Sequence, residues 1–264
     1  MERKNIIFWL IAIVITLSLS IYQRTTGPTR PVKGELVLAG KSIEYKLLRT
    51  YSGPDDAEIT IEDPTGKLEG AIKYKRYKSK DEWLTVPMNH QNNKLVAAIP
   101  HQPPAGKVMY QITLTDGTNS MNLTPDPVII RFKGDVPAYV LIPHILFMFL
   151  AMIFSTRTGI EAIAKGPRTK KYSLITALLL IVGGFVFGPI VQKYAFGEYW
   201  TGIPFGWDLT DNKTAIALVL WIIAIYKVWK NPEKRGWALI AALVMTLVYL
   251  IPHSLFGSEI DYTE

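Results

Sequence analysis

Residues 137–154 read PAYVLIPHILFMFLAMIF, an apolar stretch long enough to cross the hydrocarbon core of a bilayer as a helix. Within it, residues 141–147 read LIPHILF, and residues 250–256 read LIPHSLF, so that six of the seven positions are identical. A histidine in a bilayer is costly, and a proline disturbs the hydrogen-bond ladder of a helix. Both costs are easier to accept if the two histidines, His144 and His253, meet at one site.

Hydrophobic residues make up 49% of the 264-residue chain and concentrate in five stretches. Three of these stretches reach the ~17–25 residues that a spanning helix needs, and two do so when interfacial tryptophan and tyrosine are included. The first stretch is too long for the apolar core of a typical signal peptide and lacks an A-x-A site, which favours an uncleaved anchor at residues 1–22 over a cleaved signal. The five stretches are Ile6–Tyr22, Pro137–Phe154, Tyr172–Val191, Ala215–Trp229 and Trp237–Ile251.

The net charge of +7 is distributed in a way that indicates membrane topology. Basic residues concentrate before the first stretch, between the second and third, and between the fourth and fifth, which is the positive-inside pattern. We therefore expect a protein of the bacterial cytoplasmic (inner) membrane with a cytoplasmic N-terminus and an extracytoplasmic C-terminus. Residues 23–136 hold 16 basic and 13 acidic residues, so no phosphate-binding stripe is present and nucleic acid is not an expected partner.

A segment rich in β-branched residues and turn signals follows a short linker at residues 23–32. Its seven short candidate strands over ~100 residues predict an antiparallel β-sandwich at residues 33–134. Residues 135–264 are then a four-helix membrane domain with an outer loop at residues 192–213, and Asp135 is the expected N-cap of its first helix. The candidate strands are Glu35–Ala39, Ser42–Leu48, Ala57–Glu62, Ala71–Lys78, Lys94–Ile99, Lys107–Thr115 and Val128–Lys133.

Residues 95–117, LVAAIPHQPPAGKVMYQITLTDG, carry a resemblance to a known family. The segment resembles bacterial immunoglobulin-like or fibronectin-III-like modules, in which an "IP…PAG" turn leads into a "VxYxIxxTDG" strand. The resemblance covers the latter half of the β domain and implies an immunoglobulin-like sandwich that contacts protein or glycan, or serves as a spacer. The predicted fold class is thus a membrane α-helical bundle, one anchor plus four spans, with an inserted extracytoplasmic immunoglobulin-like domain.

The two histidines are the candidate cofactor ligands, because the predicted topology puts both in the outer half of the membrane. Pro143 and Pro252 would free the carbonyls of Tyr139 and Val248, and a freed carbonyl can orient an imidazole N–H. Two neutral imidazoles can hold haem b axially, or bind a divalent metal ion with Asp208 as a further ligand. The alternatives are a structural polar contact that pins the helices, and two unrelated positions.

The outer loop at residues 192–213 is rich in aromatic residues and supplies the remaining candidates. Asp208, without an evident structural duty, and Glu198 are candidates for acid–base catalysis. Asp211 is a candidate helix cap, and Trp200 and Trp207 are candidate interfacial anchors or parts of a lid. On the cytoplasmic side, we expect Arg157 to end its helix by meeting lipid phosphates.

These observations favour the function of an integral-membrane accessory factor or of a subunit of a membrane complex. Its β domain would contact a membrane or periplasmic protein, and its bundle would hold a haem or metal at the outer face. One alternative is a metal-dependent hydrolase or transferase acting on lipid at the outer leaflet, and another is a structural assembly protein without ligand. The absence of cysteine excludes disulfides, thiolate metal ligands and a cysteine nucleophile.

Overall fold

The computed structural model describes residues 2–38, 40–64, 66–252, 257 and 259–263. The chain divides into two compact units, one helical and one built from β-sheets. The helical unit comprises Met1–Pro28, Val136–Tyr194 and Glu198–Gly257, and the β unit comprises Thr29–Asp135, Ala195–Gly197 and Ser258–Glu264.

Six α-helices, a π-helix and a 3₁₀ turn make up the helical elements of the described chain. Helix α3, the π-helix and α4 run on without interruption. Four helices are long and apolar enough to cross a membrane, at Arg3–Thr26, Ala138–Ile163, Thr169–Phe196 and Leu209–Lys230. The elements are α1 (Glu2–Thr26), α2 (Ala138–Ile163), α3 (Thr169–Leu180), the π-helix (Ile181–Phe187), α4 (Gly188–Phe196), α5 (Leu209–Lys230), the 3₁₀ turn (Pro232–Arg235) and α6 (Gly236–Leu250).

Helix α6 is the one element that falls short of the predicted five spans. Its 15 residues extend ~22 Å, less than the ~30 Å of a typical hydrocarbon core. The helix is apolar from Trp237 to Leu250 and ends where Ile251 becomes extended. By length and composition, four helices could cross a membrane, and α6 is not among them.

Small side chains bring the helices together in the core of the helical unit. Eight of the buried residues in this core are alanines, and small residues let helix backbones approach closely where lipid offers no hydrophobic driving force. Trp221 fills the space between them, is fully buried, and donates its indole N–H to Met245 Sδ at 3.2 Å. Gly159 of α2 lies so close to Ala242 of α6 that an added Cβ would be 3.0 Å from the alanine methyl.

The start of one helix and the end of another differ from the sequence prediction. Helix α2 begins at Ala138 after Pro137, and no side chain caps it, so the prediction that Asp135 is the N-cap is wrong. A proline suits this position, because its missing N–H would be unpaired in any case. Helix α1 continues to Thr26, so the helical anchor extends beyond residue 22 into the predicted linker.

The β unit contains three sheets formed by eleven strands. A two-stranded sheet pairs β1 with β2, a second has the order β3-β11-β9-β5-β6 with β10 also on β9, and a third has the order β4-β8-β7. All pairs are antiparallel except β11 with β3, which is parallel. The strands are β1 (Val32–Leu38), β2 (Lys41–Leu47), β3 (Thr50–Ser52), β4 (Ala57–Glu62), β5 (Glu69–Arg76), β6 (Leu84–Pro87), β7 (Asn89–Gln91), β8 (Lys94–Ile99), β9 (Lys107–Thr115), β10 (Ser120–Asn122) and β11 (Val128–Lys133).

Alternating side chains give this unit its core. On β4, Ala57, Ile59 and Ile61 are buried while the residues between them are exposed. The fully buried Tyr110 of β9 donates its hydroxyl to the carbonyl of Leu48 at 2.8 Å, which satisfies the one polar atom of that side chain. All seven predicted strands are present, four short exposed strands are added, and the prediction of a wholly antiparallel arrangement is wrong at β3.

The C-terminal residues of the described chain belong to the β unit. Tyr262 forms a parallel bridge with Ser79 and donates its backbone N–H to the carbonyl of Lys78 at 2.9 Å. Glu259 makes short ion pairs with Lys78 and Lys107. The segment at residues 259–263, named here the tail, is thereby bonded to the β unit by both backbone and side chains.

Candidate functional site

His144 lies on α2, one residue after Pro143, and faces the π-helix. Its Nδ1 is 2.9 Å from the carbonyl oxygen of Gly183. The same carbonyl also accepts the backbone N–H of Gly188, five residues on as in a π-helix, so it takes part in two hydrogen bonds. The carbonyl that orients the imidazole thus belongs to Gly183 on the π-helix, and not to Tyr139 as the sequence predicted. With Nδ1 donating, Nε2 is the nitrogen left to accept a proton or bind a metal.

The second histidine of the repeated heptad, His253, lies outside the described residues. The two copies nevertheless differ in structure, because the first lies inside α2 and the second begins at the last residue of α6. The carbonyl of Val248 accepts the N–H of Ile251 at 3.3 Å, so the prediction that Pro252 frees it is wrong. Among the described residues there is no group of three or more metal-binding side chains. The pairing of the two histidines stays a prediction.

Asp211 holds the outer loop rather than capping a helix. One carboxylate oxygen, Oδ2, accepts the backbone N–H groups of Thr201 at 2.7 Å and Gly202 at 3.0 Å. The same oxygen accepts the side-chain amide of Gln192 at 3.1 Å, which ties the loop to α4. The loop between α4 and α5 is therefore fixed at its centre by a largely buried carboxylate.

Asp208 is the residue that caps α5. Its Oδ1 accepts the backbone N–H of Thr210 at 2.8 Å, and its Oδ2 lies 3.2 Å from the hydroxyl of Thr201. The expectation that Asp208 has no structural duty is wrong, because these bonds stabilise both the helix start and the loop. Glu198, the other acid–base candidate, is exposed.

The two tryptophans of the outer loop have different environments. Trp200 stacks on Phe185 with ring centroids 5.6 Å apart and donates its indole N–H to the carbonyl of Ile203 at 3.2 Å. Trp207 is 84% exposed, and Phe205 beside it is 81% exposed. Trp200 is thus part of the fold, whereas Trp207 and Phe205 form an exposed aromatic surface of the kind found at membrane interfaces.

Polar side chains also bind the end of α6. Lys213 of α5 donates to the carbonyl of Ile251 at 2.8 Å, and Gln23 of α1 donates to the carbonyl of Tyr249 at 2.9 Å. The last carbonyls of a helix have no partner within it. The two side chains therefore close α6 and join three helices at one end of the unit.

Arg157 provides a second polar cluster, at the other end of α2. The side chain is 1% exposed, with Nη1 at 2.6 Å from Glu161 Oε2 and Nη2 donating to Asn5 Oδ1 at 2.9 Å. Its guanidinium carbon also lies 5.5 Å from the ring of Trp9 and 5.0 Å from that of Tyr172. The expectation of a helix-end arginine that meets lipid phosphates is wrong, because Arg157 is enclosed by protein.

The chain that follows α2 wraps around the Glu161 carboxylate. Glu161 Oε1 accepts the backbone N–H of Arg168 at 3.1 Å, and an added Cβ on Gly166 would lie 2.1 Å from that oxygen. A cavity of about 750 Å³ opens beside this cluster. The spacing of Arg157 and Glu161, four residues apart in an apolar helix, is the signal by which the pair could have been found.

No family model matches the chain, and no curated protein or solved structure is found to be similar to it. The fold and the polar clusters described above are therefore the basis on which a function is proposed.

Proposed function

We propose that the protein is an integral-membrane accessory factor or complex subunit whose β unit contacts a protein partner outside the cytoplasm. The observation that carries this proposal is the open edge of strand β6 with two large apolar side chains exposed beside it. β6 lies at the end of its sheet, and no other strand pairs with its outer edge in the described part of the chain. An unpaired edge can accept a strand from another protein, which gives main-chain hydrogen bonds and a defined register.

The side chains around this edge support partner binding. Trp83, which immediately precedes β6, is 39% exposed, and Leu84, the first residue of β6, is 54% exposed. Neither side chain belongs to the core cluster of the β unit. The ammonium groups of Lys73 and Lys75 lie 5.3 and 5.7 Å from the Trp83 ring. Tryptophan is enriched at the energetic centres of protein interfaces.

An immunoglobulin-like arrangement of the β unit forms part of this proposal. The sheet orders β4-β8-β7 and β3-β11-β9-β5-β6 support it, because an immunoglobulin sandwich separates its second and fifth strands from its third, sixth and seventh in this way. The parallel pairing of β3 with β11 is compatible with a first strand that switches to the opposite sheet. Domains of this architecture commonly use their edges and loops for protein contacts.

The proposed orientation has the N-terminus in the cytoplasm and the β unit outside. The basic connections after α2 and after α5 support it. The tail bears on the number of crossings and not on which side is outside, since a tail bonded to the β unit lies on the same side of the membrane as that unit. An even number of crossings then separates Asp135 from the tail, which requires α6 to cross together with α2, α3–α4 and α5. A short span is tolerated where the bilayer thins locally.

Site-specific photo-crosslinking in native membranes tests the partner contact. A photoreactive residue at Leu84 should give a discrete adduct, whereas one at Ala98, exposed at the centre of the other sheet, should not. Leu84→Asp should reduce the size of the complex extracted in mild detergent without changing the thermal stability of the protein. A monomeric extract, with identical crosslinking at both positions, would refute the proposal.

A haem or metal at the outer face is a second candidate, favoured by the geometry of His144. The bond from Nδ1 to the carbonyl of Gly183 is the outer-shell contact that ligating histidines usually make, and it leaves Nε2 for the metal. Gently purified protein should then show a Soret band or a stoichiometric metal that His144→Ala and His253→Ala each remove. Folded wild-type protein without either signal, after isolation from cofactor-supplemented cells, would exclude this candidate.

A further inference from the structure

The cavity beside Arg157 carries an excess of positive charge. Three cations line it, Lys4, Arg157 and Arg168, against one carboxylate, Glu161. The carboxylate is committed to the protein, because its two oxygens bind Arg157 and the backbone N–H of Arg168. Lys4 and the guanidinium of Arg168 are exposed, so their charges remain directed at whatever enters the cavity.

The buried cluster and the exposed cations of the cavity differ in what they can bind. Arg157 Nε has no hydrogen-bond partner among the described residues, although the side chain is 1% exposed. That nitrogen is itself enclosed by protein, so the donors that an incoming anion meets are those of the exposed Lys4 and Arg168. Arginine is the side chain best matched to phosphate oxygens, because its planar donors bind two of them at once.

The walls of the cavity favour an amphipathic ligand over a soluble one. Ile6 and Phe8 of α1 lie next to the basic groups, and Ile6 is 58% exposed. Both residues belong to a helix long and apolar enough to cross a membrane, so this side of the cavity faces acyl chains when α1 spans the bilayer. A phosphate with attached acyl chains contacts both surfaces at once, whereas a free anion contacts only the basic one.

We propose that this cavity binds the phosphate group of an anionic phospholipid in the cytoplasmic leaflet. Lys4 and Arg168 contact the headgroup, the enclosed pair of Arg157 and Glu161 lies beneath them, and the acyl chains lie along Ile6. The site uses the membrane-spanning role of the helices but does not depend on partner binding by the β unit. The two proposals can therefore fail separately.

Lipid titration of the full-length protein in mild detergent, followed by native mass spectrometry, tests the site. Phosphatidylglycerol should bind at one saturable site, and phosphatidylcholine should not. Lys4→Gln/Arg168→Gln should weaken that binding roughly 30-fold, from the typical contribution of each basic residue near anionic lipid. Lys171→Gln/Lys234→Gln removes the same charge from exposed positions outside the cavity and should leave the site intact.

Two results would overturn the proposal. Equal weakening by both double variants would mean that the lipid responds to net charge alone. Full displacement of phosphatidylglycerol by inorganic phosphate at millimolar concentration, in detergent of constant ionic strength, would assign the site to a soluble anion. Lys4→Gln/Arg168→Gln is preferred to Arg157→Gln, because Arg157→Gln leaves the Glu161 carboxylate without its counter-ion and can unfold the protein.

Discussion

Arg157 shows how a charged side chain is accommodated in an apolar helix. Glu161 neutralises it, Asn5 accepts a hydrogen bond from it, and the rings of Trp9 and Tyr172 lie within 5.5 Å of its guanidinium carbon. Each contact replaces part of the hydration that burial removes. The arrangement is costly to break from one side only, since removing one partner leaves an uncompensated charge in a medium of low dielectric constant.

Removing the counter-ion of Arg157 is expected to destabilise the protein more than removing the whole pair. Glu161→Leu should cost about 3–5 kcal/mol, and Arg157→Met/Glu161→Leu should recover much of that loss. Thermal unfolding in detergent, combined as a double-mutant cycle, measures the coupling. Glu62→Leu, which breaks the exposed pair between Lys94 and Glu62 on the β unit, should change stability very little. Additive effects at positions 157 and 161 would show that the buried pair is not coupled.

The π-helix packs closely against α2, as α3 before it does. Gly183 has no side chain, and its carbonyl therefore approaches His144 closely. A Cβ at this position would lie 2.9 Å from Met148 Sδ and 3.0 Å from the backbone nitrogen of Met148. Backbone atoms cannot move aside as a flexible side chain can, so the glycine is required by the packing.

Gly183→Ala is expected to destabilise the helical unit by about 1–3 kcal/mol, which is typical of overpacking. The variant should also weaken the contact of His144 with the carbonyl at this position. Gly236→Ala is the matched control, because a Cβ at Gly236 meets nothing within 4 Å and the residue begins a helix. The control should leave stability unchanged or raise it slightly. Equal melting temperatures for the two variants would contradict the packing argument.

The elements that could be predicted from sequence are those whose pattern is local. The bounds of β4, β8, β9 and β11 agree with the prediction, because alternation or a continuous apolar run marks each strand. The four missed strands contain three or four residues, most of them exposed, so that no alternation or apolar run marks them. β3 also depends on a distant partner, β11, whereas β7 and β10 pair with the strands next to them in the chain. The seven-residue repeat shows that a local pattern can also mislead. Its first copy begins inside α2, whereas its second copy begins at the last residue of α6.

The roles of the polar residues were also beyond what the local sequence pattern could predict. Asp208 and Asp211 were predicted as a catalytic acid and a helix cap, yet Asp208 is the cap and Asp211 binds loop amides. Either carboxylate precedes or begins α5, so composition alone cannot choose between them. The bonds that Lys213 and Gln23 make to the end of α6 depend on the packing of three helices, and no local pattern contains them.

At the scale of the whole chain, ion pairs between Glu259 of the tail and two lysines, Lys78 and Lys107, bind the tail to the β unit. Burial alone would raise the pKa of the Glu259 carboxyl, but hydrogen bonds and attraction from Lys107 and Lys78 outweigh it and lower that pKa below 4.5. The hydrogen bond from Lys78 to Glu259 raises the pKa of Lys78 above 10.5. The lowered carboxyl pKa stabilises docking above pH 4.5, and this contribution is lost as pH falls through the folded value. The raised lysine pKa contributes below pH 10.5 and is lost above it.

Docking of the tail should therefore be constant through neutral pH and weaken in acid. Hydrogen-exchange protection of the Ile260 and Tyr262 amides, which donate to the carbonyls of Ala105 and Lys78, measures docking after correction for the intrinsic exchange rate. Glu259→Gln should lower that protection at neutral pH. Asp261→Asn removes the same charge without an ion pair to either lysine, and it should have a smaller effect. Protection that persists unchanged in Glu259→Gln would show that the backbone bonds suffice.

The crossing of α6 can be tested with little background, because the chain has no cysteine. Single cysteines at Ala98 in the β unit and at Phe205 in the outer loop should react with a membrane-impermeant maleimide in intact spheroplasts. Cysteines at Lys165 and Lys234, in the connections before α3 and before α6, should react only after permeabilisation. All four positions are exposed, so differences in labelling report the side of the membrane rather than burial. Labelling of Lys234→Cys in intact spheroplasts would place the start of α6 outside, and the tail could then reach the β unit without α6 crossing the membrane.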